Sequence, residues 1–282
     1  MRLKMGIPKT TRMNWFPKDL VLCPQCETGH LFPPSDTATR VHCSVCAKWY
    51  PVSDGVIDLL SGPSRTRSWI QSLMESNLVV PIYESRLWRR SFTVTVLTRI
   101  SFDQEYKMIT QAMKLHGDEV ILDLACGTGI YARPLARKCT HGVVVGLDLS
   151  IPMLKYASRL AEEEHLKNLI FIRGDAMGLP FSDGRVDAVN CCGALHLFTD
   201  LPRVLREVSR VLRSGGRFTI AALRRRRGHL AEGIDYIRRH MFGVAAFQPD
   251  ELESQFHQVG LYDVQCHHAK GIWLIMSAKK LS

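Results

Sequence analysis

The chain has 282 residues, is 46% hydrophobic and 23% charged, and carries a formal net charge of +10. That length suits one large domain with a smaller companion, and the apolar fraction is enough for a full core, which excludes a disordered or fibrous chain. No apolar run reaches the roughly 18 residues of a membrane span, and the basic start MRLKMGIPKTTRMNWFPK lacks the apolar centre of a secretory signal. A cytoplasmic protein with no transmembrane segment is therefore expected, with peripheral membrane contact left open.

The first feature in chain order is a pair of cysteine knuckles. Cys23-Pro24-Gln25-Cys26 and Cys43-Ser44-Val45-Cys46 enclose sixteen residues. This spacing lets each pair put two thiolates on one metal, and two pairs complete a tetrahedral, closed zinc site with a structural role. A disulfide pairing would need an oxidising compartment, and a redox pair normally stands alone before a helix. Residues 1–62 are expected to form a small zinc-ribbon unit around its own core. Residues 63–116 read as a helical linker, built from SWIQSLMESNLVV, PIYESRLWRRSF and FDQEYKMITQAMKL.

From residue 117 the texture alternates. EVILDLA is a strand and GIYARPLARKC a helix, with Pro134 removing a backbone donor so that the helix starts late or bends. GVVVGLDLS is a strand and PMLKYASRLAEEE an amphipathic helix. NLIFIRGDA and RVDAVNCCGA are strands. DLPRVLREVSRVLRSGG is a helix stopped by Gly215-Gly216. RFTIAAL is a strand, QPDELESQFHQVG a helix, and LYDVQCHH with GIWLIMSAK a hairpin turning at Ala269-Lys270-Gly271. The alternation predicts an α/β, mostly parallel, doubly wound sheet over 117–282, interrupted by a lid insertion at 222–247.

Within the first β-α turn, Gly127-x-Gly129-x-x-Ala132 has the spacing of a dinucleotide-binding loop. Asp123, four residues before Gly127, would repel a pyrophosphate. It would instead attract S-adenosylmethionine, which has no phosphate and carries an ammonium and a sulfonium. Asp148 ends the next strand, where an acid accepts from ribose hydroxyls. Asp175 ends the third, where it can accept from an adenine amino group with Ala176 and Met177 against the ring. Any one of these acids could simply cap a helix. Three at successive strand ends favour a cationic nucleoside.

The segments DLACGTG, GLDLSIPML, GDAMGLPFSDGRVDAV, GALHLF and EVSRVLRSGGRF resemble the class I S-adenosylmethionine-dependent methyltransferases, nearest the ubiquinone/menaquinone-type group, over about 120–280. With VPIYESRLWRRSF and the cysteine-rich start, the chain is similar to a branch found in plant plastids and bacteria. WYPVSDGVIDLL resembles the tail of zinc ribbons that precede methyltransferase domains, the rRNA guanine-N1 family among them. The resemblance implies a Rossmann-like seven-stranded sheet with an antiparallel last strand, preceded by the ribbon and helical linker. It implies cofactor contacts from Asp123, Ala125, Cys126, Gly127, Gly129, Asp148, Leu149, Met153, Asp175, Ala176 and Cys191. Tyr83 and Arg89 would meet the amino-acid end of the cofactor.

Methyl transfer from a sulfonium is an in-line displacement, so the enzyme mainly aligns the reactants and excludes water. A base is needed only when the acceptor loses a proton, and His196, just after the fourth strand, is the candidate. Cys191 and Cys192 lack the Pro-Cys or Thr-Cys context of pyrimidine 5-carbon methyltransferases and read as small lining residues. The lid mixes Arg224–Arg227, Arg238 and Arg239 with Ile234, Ile237, Met241, Phe242 and Phe247, an apolar lining with a cationic rim. The expected activity is methyl transfer to a small amphiphilic or aromatic acceptor: a natural product, a quinone or a lipid. One alternative is an RNA methyltransferase using the ribbon and arginine run as an electrostatic footprint. It lacks an Asn-Pro-Pro-Tyr signature and a base-stacking series. A non-catalytic cofactor-binding subunit is a third reading, opposed by the intact motifs.

Overall fold

The computed structural model describes residues 19–33, 39–60, 92–226, 228, 233, 235, 238, 241 and 243–281. The two helical stretches expected before residue 92 lie outside them. So do Tyr83, Trp88, Arg89, Arg227, Ile234, Ile237, Arg239 and Phe242.

The N-terminal unit supplies four short strands: β1 (Leu31–Phe32), β2 (Arg40–Cys43), β3 (Trp49–Ser53) and β4 (Val56–Asp58). Helices α1 (Phe92–Thr98) and α2 (Phe102–Met113) follow. The main domain then runs β5 (Val120–Leu124), α3 (Ala132–Lys138), β6 (Val143–Asp148), α4 (Ile151–Glu163), β7 (Leu169–Arg173) and β8 (Val186–Cys192). A 3-10 turn at Leu195–Leu197 leads to α5 (Leu201–Val211), β9 (Leu212–Leu223), α6 (Pro249–Gln258), β10 (Leu261–Lys270) and β11 (Trp273–Lys280). Among the described residues no helix is long and apolar enough to cross a membrane.

Local chemistry accounts for these elements. β5, β6 and β7 are near-continuous apolar runs, as strands covered on both faces require. Ser101 and Gln104 form a reciprocal capping box that starts α2. The Ser150 hydroxyl accepts from Met153 N at the start of α4, and the Asp200 carboxylate accepts from Arg203 N at the start of α5. Leu201, Val204, Leu205, Val208 and Val211 form the buried stripe of α5. Pro134 falls in the first turn of the short α3, where no intrahelical donor is lost.

The strand order is β1-β2-β3-β4-β7-β6-β5-β8-β9-β11-β10. β4 to β9 run parallel from neighbour to neighbour, while β11 is antiparallel to both β9 and β10. The Rossmann-like doubly wound sheet is thus present, with its antiparallel last strand. Two features differ from the sequence reading. The helix after Asp200 ends at Val211 rather than at Gly215-Gly216. Leu212 is fully buried and enters β9 opposite Val186, so burial in an extended register prevails over continuation of the helix.

The second difference is larger. The ribbon does not have a core of its own. β4 pairs with β7, placing Val56, Ile57 and Asp58 beside Phe171, Ile172 and Arg173. Leu31, Val41, Tyr50 and Ile57 join Leu122, Leu147 and Ile172 in one apolar cluster. An apolar strand such as β7 at a sheet edge would expose unpaired backbone groups, and β4 covers that edge.

Candidate functional site

The parallel strands β5, β6, β7 and β8 end on one side of the sheet, and a cavity opens there at the point where strand order reverses. The turn after β5 forms its floor. Ala125 and Gly127 both adopt left-handed backbone, at φ 54° and 52°.

Asp123 is 1% exposed. Its Oδ1 accepts from Asn190 Nδ2 at 2.7 Å, while Oδ2 is buried with no hydrogen-bond partner among the described residues. Asn190 is itself held, because its Oδ1 accepts from Thr219 Oγ1 at 3.1 Å and from Cys192 Sγ at 3.0 Å. Burial pushes the Asp123 carboxyl up to about 7, with hydrogen bonding from Asn190 and the Ala132 backbone opposing and the nearby Asp148 charge adding to the rise. Asp148 accepts from Gly127 N and Ser150 N, each at 2.8 Å, so one carboxylate ties the glycine turn to the start of α4. Asp175 accepts from Met177 N at 2.9 Å and forms an Asx-type turn rather than a helix cap.

Asp123, Ala125, Cys126, Gly127, Asp148, Leu149, Met153, Asp175 and Ala176 all line the cavity. Gly129 does not. At φ 75° it faces Ala157 and Phe171, where an added Cβ would come within 3.3 and 3.4 Å, so it lets α4 approach β7. Cys191 is also displaced from its expected place. Side chains alternate along β8, so Cys191 is fully buried in the core while its neighbour Cys192 lines the cavity. Burial pushes the Cys191 thiol far up, out of the range of a nucleophile at neutral pH.

His196 lies in the 3-10 turn after β8, and its carbonyl accepts from Ala245 N at 2.9 Å. Leu197, Phe198 and Thr199 line the cavity, but His196 is not among the lining residues. Sequence reasoning missed Ile130, Tyr131, Leu147, Ser150, Gly174, Gly193 and Ala194, which also line it. Leu147, Ser150, Gly174, Gly193 and Ala194 lie at or just after a strand end, which was the available signal, whereas Ile130 and Tyr131 lie at the start of α3.

The described part of 222–247 contributes no cavity-lining residue. Two of its arginines are engaged internally. Arg225 pairs with Glu251 of α6 and, at 3.8 Å, with Asp235, while Arg238 pairs with Asp235. Within the run, Arg225 is thus turned to acidic partners of the domain, whereas Arg226 is exposed.

The four knuckle cysteines converge, with their sulfurs all within 4.8 Å of one another. Cys23 to Cys46 is 3.7 Å and Cys26 to Cys43 is 3.5 Å. Sulfurs about 2.3 Å from a tetrahedral zinc lie roughly 3.8 Å apart, so the spacing matches. Backbone N–H groups of Gln25, Gly29, Val45 and Cys46 point at these sulfurs at 3.4 Å. The Tyr50 hydroxyl lies 3.1 Å from Cys23 Sγ. Such donors suit thiolates. At Gly29 an added Cβ would meet Cys43 Sγ at 2.3 Å, so only glycine lets the chain pass the cluster.

Residues 121–216 match the methyltransferase domain family. The chain is 31% identical over 188 residues to an uncharacterized chloroplastic methyltransferase of Arabidopsis thaliana, covering 62% of this chain and 52% of that one. It is 42% identical over 122 residues to the demethylmenaquinone methyltransferase of Lactococcus lactis, covering 42% of this chain and 48% of that one. The chain thus spans about half the length of these curated relatives. Its fold is similar to that of phosphoethanolamine N-methyltransferase 2 of Haemonchus contortus, solved with phosphomonomethylethanolamine and S-adenosylhomocysteine. That match has a TM-score of 0.63 at 15% identity and covers 83% of this chain and 62% of that one.

Proposed function

We propose that this chain is an S-adenosylmethionine-dependent methyltransferase acting on a small apolar or amphiphilic acceptor, and that its cysteine cluster holds a structural zinc ion. One observation carries the cofactor reading. Asp123, Asp148 and Asp175 line the same cavity, and no lysine or arginine lines it among the described residues. A pyrophosphate would find three carboxylates and no cation there. A ligand with an ammonium group and a neutral nucleoside finds complementary partners.

The residues divide the work by position. Asp123 lines the cavity near the end of β5, where an ammonium group would partner its carboxylate. Asp148 keeps lone pairs for ribose hydroxyls while its N–H donors hold it in place. Asp175 stands at the far wall with Ala176 and Met177. When bound, the cofactor supplies an electrophilic methyl group on a sulfonium sulfur. Ile130, Leu197 and Phe198 supply an apolar surface that excludes water from the acceptor side. No step is assigned to His196, whose ring does not line the cavity. A quinone-like ring is the favoured acceptor, supported by the apolar wall and by the identity to the demethylmenaquinone enzyme.

For the metal, four converging thiols with backbone donors form a closed set and leave no protein-free position, which suits a structural ion. The test of the function is twofold. Calorimetry should detect S-adenosylhomocysteine binding and no NAD binding. Labelled methyl from S-adenosylmethionine should enter a demethylated quinone and not RNA. Tight NAD binding would overturn the cofactor reading, and stoichiometric labelling of one RNA position would overturn the acceptor class.

A further inference from the structure

A buried cation sits in the seam between the ribbon and the cofactor cavity. Arg173 ends β7, and its side chain is 7% exposed. Its Nη1 lies 3.2 and 3.1 Å from the two carboxylate oxygens of Asp58, at the end of β4, and donates to Leu60 O at 3.1 Å. Its Nε donates in the other direction, to Leu149 O at 3.2 Å. Leu149 follows Asp148, and Gly174 follows Arg173; all three neighbours line the cavity. In the sheet, Arg173 stands between Asp58 on one side and Asp148 on the other.

A second tie joins the ribbon to the opposite wall. Leu22 N donates to Pro180 O at 2.9 Å, and Ser182 N donates to Leu20 O at 3.1 Å. The segment so held continues the turn of Asp175, Ala176 and Met177. The ribbon therefore braces both nucleoside-side turns. An apolar side chain could fill the Arg173 position without the desolvation cost of a guanidinium. It could not hold a ribbon carboxylate and the Leu149 carbonyl together.

We propose that Arg173 is a positioning residue for the cofactor: with Asp58 it fixes the turn carrying Asp148 and Leu149, so that cofactor affinity depends on the ribbon. This rests on the cofactor reading above. Arg173 is not among the residues that line the cavity and acts through Leu149.

The experiment is a double-mutant cycle in the full chain, read as S-adenosylhomocysteine affinity. Asp58→Ala and Arg173→Met are each expected to weaken binding about tenfold, as loss of a charge-assisted hydrogen bond would. The double variant should be no weaker than the worse single one, because the two groups act as one device. Asp54→Ala is the control. Asp54 also joins the ribbon to the main domain, through an exposed pair with Lys155 at 2.8 Å, but its partner is a side chain of α4 and not a group of either turn. Its affinity should equal that of the wild type. Asp58→Asn serves if either principal variant fails to fold, and it should fall between wild type and Asp58→Ala. Wild type that binds while Asp58→Ala and Asp58→Asn match it overturns the coupling alone. Additive losses, or an equal loss in Asp54→Ala, also overturn it. Wild type that fails to bind overturns the cofactor reading and this proposal with it.

Discussion

Asp123 combines near-complete burial, a single hydrogen-bonded oxygen and a carboxyl pushed up to about 7. Because its folded-state pKa lies above the ordinary carboxylate value, the protonated form favours the fold. Its stabilising contribution is full below the usual carboxylate range and is lost as pH rises through about 7. Ligand-free wild type should therefore lose melting temperature relative to Asp123→Asn as pH rises through that range. Affinity for S-adenosylhomocysteine should move the other way, since its ammonium group needs the ionised carboxylate. Thermal scans and calorimetry on one pH series check both, and parallel curves for wild type and Asp123→Asn would refute the assignment. Asp148→Ala should weaken S-adenosylhomocysteine by about 1–3 kcal/mol through lost hydrogen bonds. The variant also frees Gly127 N and Ser150 N, so melting temperature should fall with it.

At the scale of elements, the C-terminal hairpin shows how a turn is fixed by what lies beneath it. β10 and β11 meet at Gly271, where φ is 57°. An added Cβ there would lie 2.1 Å from Leu97 O at the end of α1. Ile272 N donates to that same carbonyl at 3.1 Å, and His268 Nε2 lies 2.9 Å from Thr98 O. Gly271→Ala should thus cost about 2 kcal/mol or more, from both strain and contact. A denaturant midpoint unchanged from wild type would contradict this. The glycine at that turn was readable as a hairpin signal, whereas its contact with α1 was not. Gly215-Gly216 shows the reverse case: a helix-stop pattern was readable, but the helix ends earlier because Leu212 is buried beside β8.

For the molecule as a whole, the continuous core from Leu31, Val41 and Ile57 into Leu122 and Leu147 makes the ribbon part of the main sheet. Purified protein should contain one zinc per chain by elemental analysis. Cys43→Ser should remove it and lower the melting temperature of the entire described fold in one transition. Two separate transitions, with the main domain unchanged, would show that the ribbon is independent after all. Chelation should lower S-adenosylhomocysteine affinity along with melting temperature, because the same strand edge braces the nucleoside turns.

The sequence by itself determined the elements whose information is local. Alternating apolar strands and amphipathic helices specify the doubly wound sheet. The two cysteine pairs specify a four-thiol cluster, and the three acids at strand ends specify the carboxylates that meet at one cavity. These signals depend on spacing along the chain, which periodicity and charge record directly. Tertiary structure alone decided which face of β8 meets the cavity, placing Cys192 there and Cys191 in the core. It also decided that Gly129 serves packing, that Arg225 is spent on Glu251 and Asp235, and that β4 closes the β7 edge. Each of these depends on partners far apart in the chain. Their pairing is set by burial and register, which a single sequence does not display.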